Sequence, residues 1–405
     1  MVGLDIGSTK ICCVVAEIKD GGAVEAAGIG IAPSRGIRKG LVVNLEATVE
    51  AIKSAVEDAE LTAGVSVECA TLGVAGAHMR SFNSRGVVTV SGKDKTVSRD
   101  DVRRVMEAAR AVSIPPEREV LHVLPQEFVL DDHAGITSPV GMNGTRLEAN
   151  VHIVTAATTS VQNLVTCANR AGIEVRDMVL EQLAIAESVL TQDEKDLGVA
   201  LIDVGGGTTD LAIFEKGSIW HTAVLPVGGD HFTNDLAVGL RTPIPDAERV
   251  KRKHGCAMGS LVGTDEPIEV PSVGGRKPRV LSAQVMAEIL EPRAEEIFTL
   301  VREEIVRAGF ERLLNAGVVL SGGGSLLPGM TEVAEQVFDL PVRRGQPAGV
   351  GGLTDPGSGP EHATAIGLAL YGARHRSPRR RNVQVPAGML GRVGGRVRQW
   401  FAEMF

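Results

Sequence analysis

From residue 1 to about 80, short apolar runs that read as strands alternate with longer stretches that read as helix, the pattern of an α/β domain. One apolar run ends at Asp5-Ile6-Gly7, and a helix is predicted over 45–60 and a strand over 69–74. From 81 to about 153 the character changes. A short β run (86–90) and a helix (99–111) lead into extended pieces, including 121–128 and the turn-rich 139–144. This segment reads as a small module set into the first domain. The α/β pattern resumes with a helix over 161–171, a strand over 173–175 and a helix over 180–190, followed by a second apolar run ending at Asp203-Val204-Gly205. After a polar, glycine- and proline-rich stretch (241–279) come a long helix over 282–308, a strand over 317–320 that runs into Ser321-Gly322-Gly323-Gly324-Ser325, and a last body helix over 363–371.

The two aspartate-glycine turns change the picture most. Each closes an apolar run and is followed by small hydroxylated residues: Asp5-Ile6-Gly7-Ser8-Thr9-Lys10 and Asp203-Val204-Gly205-Gly206-Gly207-Thr208-Thr209-Asp210. Glycines at positive φ would turn successive N–H groups toward one anion, with Ser8, Thr9, Thr208 and Thr209 adding hydroxyl donors and Lys10 a point charge. Asp5 and Asp203 suit a magnesium ion held largely through water, its remaining ligands coming from phosphate. A duplicated phosphate grip of this kind predicts a bound nucleotide. The competing reading is two ordinary hairpin turns, since such dipeptides are common turn formers. The glycine run at 322–324, following a strand, would let the backbone approach the adenosine end of the ligand.

At 405 residues the chain has room for two or more domains, and 43% apolar with 23% charged residues is the balance of a soluble globular protein. No apolar run reaches bilayer-spanning length, and strand-like sequence begins at once, so the reading expects neither signal peptide nor span, and a cytosolic protein. Cys12, Cys13, Cys69, Cys167 and Cys256 show no C-x-x-C spacing and read as reduced core residues. The nine histidines are scattered, which argues against a zinc site. The net charge of −8 conceals a split. Residues 374–405 hold eight arginines against one acid, Glu403, a local +7 that leaves −15 on the rest. An acidic body repels polyanions, so no nucleic-acid partner is expected.

Five segments in fixed order, 3–10, 181–186, 201–214, 318–330 and 363–372, resemble the phosphate-1, connect-1, phosphate-2, adenosine and connect-2 segments of the actin, Hsp70 and sugar-kinase superfamily. Within it the chain is similar to the FtsA family of bacterial cell-division actin homologues, over nearly its whole length. The run HVLPQEF at 122–128 and the run PVGMNGTRLE at 139–148 resemble the inserted subdomain particular to that family. Ser138 stands where many relatives carry an acid. The resemblance implies an α/β, actin-like, two-lobed duplicated fold of ribonuclease-H-like domains, with an inserted α+β subdomain and a C-terminal amphipathic helix. It divides the chain into a first lobe (1–80, 156–196 and 361–373), the insert (81–155), a second lobe (197–228 and 305–360) with its small subdomain (229–304), a basic linker (374–388) and a terminal helix (389–405). ATP and Mg2+ would lie between the lobes. Gly7, Ser8, Thr9, Lys10, Gly205, Gly206, Gly207, Thr208 and Thr209 would hold phosphate. Gly322, Gly323, Gly324 and Ser325 would hold adenosine, and Glu248 and Lys251 the ribose or base. Glu181 falls where relatives place a residue that orients attacking water, an ion pair or helix N-terminal charge being the competing role. Implied partners are the FtsZ C-terminal tail, further copies of the chain in filaments, later divisome proteins through the insert, and membrane. Arg279, Arg293 and Glu296 are the candidate FtsZ contacts, although exposed arginines on a helix are commonly just solvated.

The tail supports the membrane expectation on its own residues. Pro378, Pro386 and the arginines between them make a poor helix former and a solvated linker. Plotted at about 100° per residue, Met389, Leu390, Val393, Val397, Trp400, Phe401, Met404 and Phe405 fall within about 160°, and Arg392, Arg396 and Arg398 lie outside that arc. Such a helix suits the interface of an anionic membrane better than packing on the protein body. Gly391, Gly394 and Gly395 each disfavour helix by roughly 1 kcal/mol relative to alanine, so helix formation would be coupled to lipid binding. Taken with the resemblance, which implies a role in division, the expected location is the cytoplasmic side of the inner membrane at the division septum. The rival readings are a sugar-kinase-branch phosphotransferase and an MreB-type membrane actin. No convincing sugar-binding set is present for the first, and the 81–153 module opposes the second. Any ATP hydrolysis is expected to be slow, with an adaptor role foremost.

Overall fold

The computed structural model describes residues 1–92, 94–263, 267–352 and 359–375. The chain begins with β1 (Val2–Ile6), β2 (Lys10–Ile18) and β3 (Val24–Pro33), a small hairpin of β4 (Ile37–Arg38) and β5 (Leu41–Val42), then α1 (Leu45–Ala63) and β6 (Cys69–Val74). The inserted module is β7 (Arg80–Thr89), α2 (Arg99–Arg110), β8 (Arg118–Leu130), β9 (His133–Ile136) and β10 (Arg146–Ala157). Next come α3 (Thr158–Arg170), β11 (Glu174–Leu180), α4 (Glu181–Val189) and α5 (Gln192–Leu197). The second half comprises β12 (Val199–Val204), β13 (Thr209–Glu215), β14 (Ser218–Leu225), α6 (Gly229–Gly239), α7 (Ile244–His254), β15 (Pro267–Val270), β16 (Arg279–Ser282), α8 (Ala283–Ala308), β17 (Val318–Ser321), α9 (Met330–Phe338), β18 (Val342–Arg344), β19 (Val350–Gly351) and α10 (Ala363–Arg374).

Two sheets repeat one topology. The first has the order β11-β6-β1-β2-β3-β19 and the second β14-β13-β12-β17-β18. In each, a three-stranded antiparallel meander is followed by two strands added parallel to its first member. Both aspartate-glycine turns are the first hairpin of their meander, so the duplication seen as two motifs extends to whole half-folds. The insert forms a separate four-stranded antiparallel sheet, β7-β10-β8-β9, with α2 packed on it around Val102, Val105, Met106, Phe128 and Val151.

Capping explains several of the helix ends. Asn44 accepts from the Ala47 N–H at the start of α1, and Gly64, at φ 67°, closes its end. Ser98 and Asp101 form a capping box at α2, where the buried Asp101 carboxyl accepts from Ser91, Ser98 and Arg104 and is held well below the usual carboxylate range by those bonds, against the opposing effect of burial. Cys12, Cys13, Cys167 and Cys256 are buried free thiols, and burial pushes Cys12 and Cys13 up to about 12, as inert core residues require.

The two halves join where α4 and α10 cross. Ile185, Ala186 and Val189 of α4 pack with Leu201, Ala212 and Val319 of the second sheet, while Ala365, Ile366 and Ala369 of α10 pack with Cys12 and Val14 of the first. The helices meet at Gly367, where an added Cβ would collide with the Ala184 carbonyl. Glu181, the first residue of α4, is thereby brought to the floor between the two hairpins. Among the described residues no helix is long and apolar enough to cross a membrane.

Candidate functional site

Both turns close the same backbone bond. The Gly7 N–H donates to the Lys10 carbonyl at 3.1 Å and the Gly205 N–H to the Thr208 carbonyl at 2.9 Å. The reason for glycine differs from the sequence expectation. None of Gly7, Gly205, Gly206 or Gly207 has a positive φ; space is the constraint. A Cβ on Gly7 would stand 2.8 Å from the Lys10 carbonyl oxygen, and one on Gly206 would run into Thr9 Oγ1 of the other half. One on Gly207 would lie 3.1 Å from Ser8 Oγ. The hairpins therefore face each other with glycine on one side and hydroxyls on the other. Gly322 is a different case: its φ is 80°, and a Cβ there would press on Asp203 Oδ1 and the Val204 carbonyl at 2.5 Å.

Acids converge under the turns. Asp5 at the end of β1, Asp203 at the end of β12 and Asp210 in β13 are buried, and Asp203 pairs directly opposite Asp210 in the ladder. Asp210 accepts from Gln182 Nε2 and Thr208 Oγ1, both at 2.9 Å. Burial raises Asp210 to about 7. Burial, then the charges of Asp210 and Asp5, lift Asp203 to about 8 against the opposing effects of Lys10 and a hydrogen bond with Ser321. Asp5 is raised to about 6 by burial, with Lys10 pulling the other way. Glu181 lies well above the carboxylate range, through burial first and then Asp5, Asp210 and Asp203. Lys10 approaches His362 Nδ1 at 3.1 Å, and burial depresses its own pKa. Four carboxyl groups sharing one buried neighbourhood disfavour their own ionisation, so the centre is built to receive positive charge.

The remaining candidates surround this centre. Thr209 and Ser325 are fully buried, their hydroxyls donating to the carbonyls of Val227 and Gly322. Gly324 lies on Val204, where a Cβ would collide with its side chain, so the glycines at 322–324 allow the loop to pack on the end of β12. Lys251 on α7 pairs with Glu248 at 2.6 Å and donates to Thr233 Oγ1 and the Gly229 carbonyl. The Gly229 and Asp230 N–H groups donate in turn to the carbonyls of Gly205 and Gly206 at 2.8 Å, which ties α6 to the second turn. Farther away, Arg293 pairs with Asp235 at 2.6 Å and with Glu296, and Arg279 donates to the Leu240 carbonyl, so both arginines reach α6 or the residue following it. The tail candidates Leu390, Arg392, Val393, Arg396, Val397, Arg398, Trp400, Phe401, Met404 and Phe405 lie outside the described residues.

Asp210, Gln182 and His362 were not singled out by sequence reasoning. Asp210 carries a signal, standing directly after the hydroxyl pair of the second turn. Gln182 and His362 reach the centre only through the α4–α10 crossing and its lead-in, which no local motif records.

Comparison with known proteins agrees with this arrangement. Residues 200–367 match the family described as "Cell division protein FtsA", residues 76–155 the "SHS2 domain inserted in FTSA" and residues 130–259 "Type IV pilus assembly protein PilM". The chain is 50% identical to the cell division protein FtsA of Pseudomonas aeruginosa over 377 residues, covering 93% of this chain and 90% of that one. The Escherichia coli K12 protein of the same name is 42% identical (92% and 90% covered), and that of Bacillus subtilis 39% (92% and 83%). Among solved structures, a PilM-PilN type IV pilus biogenesis complex aligns with a TM-score of 0.68 at 18% identity (92% and 98% covered), and MreB5 of Spiroplasma citri bound to ADP with 0.51 at 16% (92% and 95%). These structures share the fold.

Proposed function

The chain belongs to the FtsA family of cell division proteins, and we propose that it acts as an ATP-binding, self-associating adaptor tying FtsZ filaments to the inner face of the cytoplasmic membrane at the septum. The observation that carries the nucleotide part is the pair of opposed hairpins above four clustered carboxyl groups. Such a centre would take a cation, and the cation would carry the anionic phosphates in with it.

Mg2+ fits the donor set. Such an ion keeps water and phosphate ligands and touches few carboxylates, and Asp5 and Asp203 stand buried at the ends of β1 and β12 beside the two turns. Asp5 and Asp203 would hold it, and the ion would offset phosphate charge. Gly7, Ser8, Thr9 and Lys10 from one side and Gly205, Gly206, Gly207 and Thr208 from the other would grip phosphate. Thr209 and Ser325 would support these loops from beneath, Gly322, Gly323 and Gly324 would border the adenosine, and Glu248 with Lys251 would meet the ribose or base. Glu181 would orient water, and an ion-pair role for it is excluded if Glu181→Ala slows ATP turnover without weakening ATP binding.

The remaining roles follow the same division of the chain. The insert (81–155) would recruit later divisome proteins, 229–304 would dock the FtsZ tail near Arg279, Arg293 and Glu296, and 389–405 would be the membrane foot. Electron microscopy on anionic lipid monolayers, with and without Mg-ATP and FtsZ tail peptide, tests the whole reading. Membrane-bound filaments are the expected result; a monomer that ignores lipid and phosphorylates a small molecule would overturn it.

A further inference from the structure

The β4–β5 hairpin turns at Lys39-Gly40, and both residues have positive φ, 50° and 75°. A two-residue turn of this kind takes Asn, Asp or Gly at its first position with little cost, whereas lysine must be held there against local sterics. The place where it is held is the mouth of the cleft. A Cβ on Gly207 of the second half would lie 3.1 Å from both Lys39 Cα and Lys39 N. On the first half, the Gly40 N–H donates to Ser8 Oγ at 3.3 Å, and Gly40 packs so tightly on Gly76 that a Cβ would stand 2.5 Å from Gly76 Cα. The Ala77 N–H donates to the Lys39 carbonyl at 3.4 Å. The lysine backbone is thus fixed against both phosphate turns by elements of both halves.

We propose that Lys39 is a phosphate ligand, its ammonium contacting the terminal phosphate of a nucleoside triphosphate held between the Ser8 and Gly207 turns and so separating triphosphate from diphosphate. This rests on the nucleotide reading above and adds a group from outside the two turns. Reach is sufficient: a lysine stem places Nζ roughly 6 Å from Cα, and the Lys39 Cα already touches the second turn. Charge supports it as well. Lys10 acts on both Asp5 and Asp203, and its charged form is already disfavoured by burial. A triphosphate adds more negative charge than one such lysine and one divalent ion offset. Among the described residues the Lys39 ammonium forms no ion pair, so it is available to the ligand. An uncommon backbone conformation at a cleft, occupied by a charged residue where glycine would be easier, is the kind of outlier that function sustains.

Calorimetric titration of the full chain with Mg-ATP and Mg-ADP tests the proposal in the wild type, Lys39→Gly and Lys39→Arg. Glycine suits the positive φ and removes the side chain with its ammonium; arginine keeps the charge. Lys39→Gly is expected to weaken ATP on the order of tenfold, the size of one charge-assisted contact, and ADP much less, while Lys39→Arg retains most of the preference. Unchanged ATP binding, or equal weakening of ATP and ADP, overturns the inference. Should Lys39→Gly unfold at a lower temperature than wild type, Lys39→Asn, which also tolerates this φ, takes its place in the same titrations. A wild type that binds neither nucleotide overturns the nucleotide reading itself, whereas a wild type that binds both while the variants keep its ATP preference removes Lys39 alone.

Discussion

Asp203 and Asp210 face each other across the β12–β13 ladder, at about 8 and about 7, above the ordinary carboxylate value of 3.8. With folded values raised, the native chain binds more protons than the unfolded chain across this range, so the stability of the nucleotide-free protein falls as pH rises toward about 8. Between about pH 6.5 and 8.5 the lowered histidines contribute little, because His78 and His152 are held to about 4 and about 3, mainly by burial. Thermal melts in that window are expected to show a falling midpoint that Asp210→Asn flattens and Mg-ATP offsets. An unaltered slope in the variant would show that the pair is not its source. Asp5 and Asp203 were legible in the sequence because an acid before a glycine turn is a local pattern. The reason for the glycines was not, since positive φ and lack of space give the same letter, and only the second half-fold set opposite the first shows that space governs at Gly206 and Gly207.

Elements were legible where capping and periodicity coincide. Helices expected over 45–60, 99–111 and 282–308 appear as α1, α2 and α8 with ends shifted by at most a turn. The strand expected over 173–175 instead continues to Leu180, and β7 and β8 are longer than the runs that announced them. β10 passes directly into α3 at Thr158, so no turn residue marks its end. In the stretch read only as polar and rich in glycine and proline, α7 buries just Ala247 and Val250 along its length, too few to show a period. The β4–β5 hairpin is two residues a side and lacks the Asn-Gly signal. At the α4–α10 crossing, Gly367→Ala sets two effects against each other: alanine favours helix by roughly 1 kcal/mol, but its methyl enters the space of the Ala184 carbonyl, and overpacking costs about 1–3 kcal/mol. Net destabilisation in urea unfolding is expected; a stabilised variant would mean the helices separate freely there.

At the scale of the molecule, the proposed foot and the insert would contribute in different ways. A single helix over 389–405 would be a modest anchor whose hold rises steeply once several are linked in a polymer. Liposome co-sedimentation should therefore fall for Trp400→Glu and for truncation after Arg381, and equal pelleting by all forms would remove the foot from the reading. The insert, in contrast, is bound to the second half by polar contacts. His152, 1% exposed, bonds Asn83 Oδ1 at 2.7 Å and Thr222 Oγ1 of β14 at 2.9 Å. Gln126 Nε2 donates to the carbonyls of Ile219 and Trp220, and Ser81 to that of Thr222. The other end of β14 leads to Gly228 and Gly229, and Gly229 bonds the Gly205 carbonyl of the phosphate turn. One strand thus links the Gly205 turn to the insert through hydrogen bonds at both of its ends. His152 is held to about 3, by burial first and then by His221, so the stability of its neutral form is present above the unfolded value of 6.5 and lost as pH falls toward 3. At pH 5 the loss is about 2 kcal/mol, from the distance between that pH and the unfolded value of 6.5 at about 1.4 kcal/mol per unit. After division by the intrinsic chemical rate, which itself falls over this range, hydrogen exchange of β7, β8 and β10 should show an excess of opening at pH 5 relative to pH 7, and His152→Gln should remove most of that excess. An excess that persists in the variant would assign the acid sensitivity to His78 and leave the β14 contact insensitive to protons.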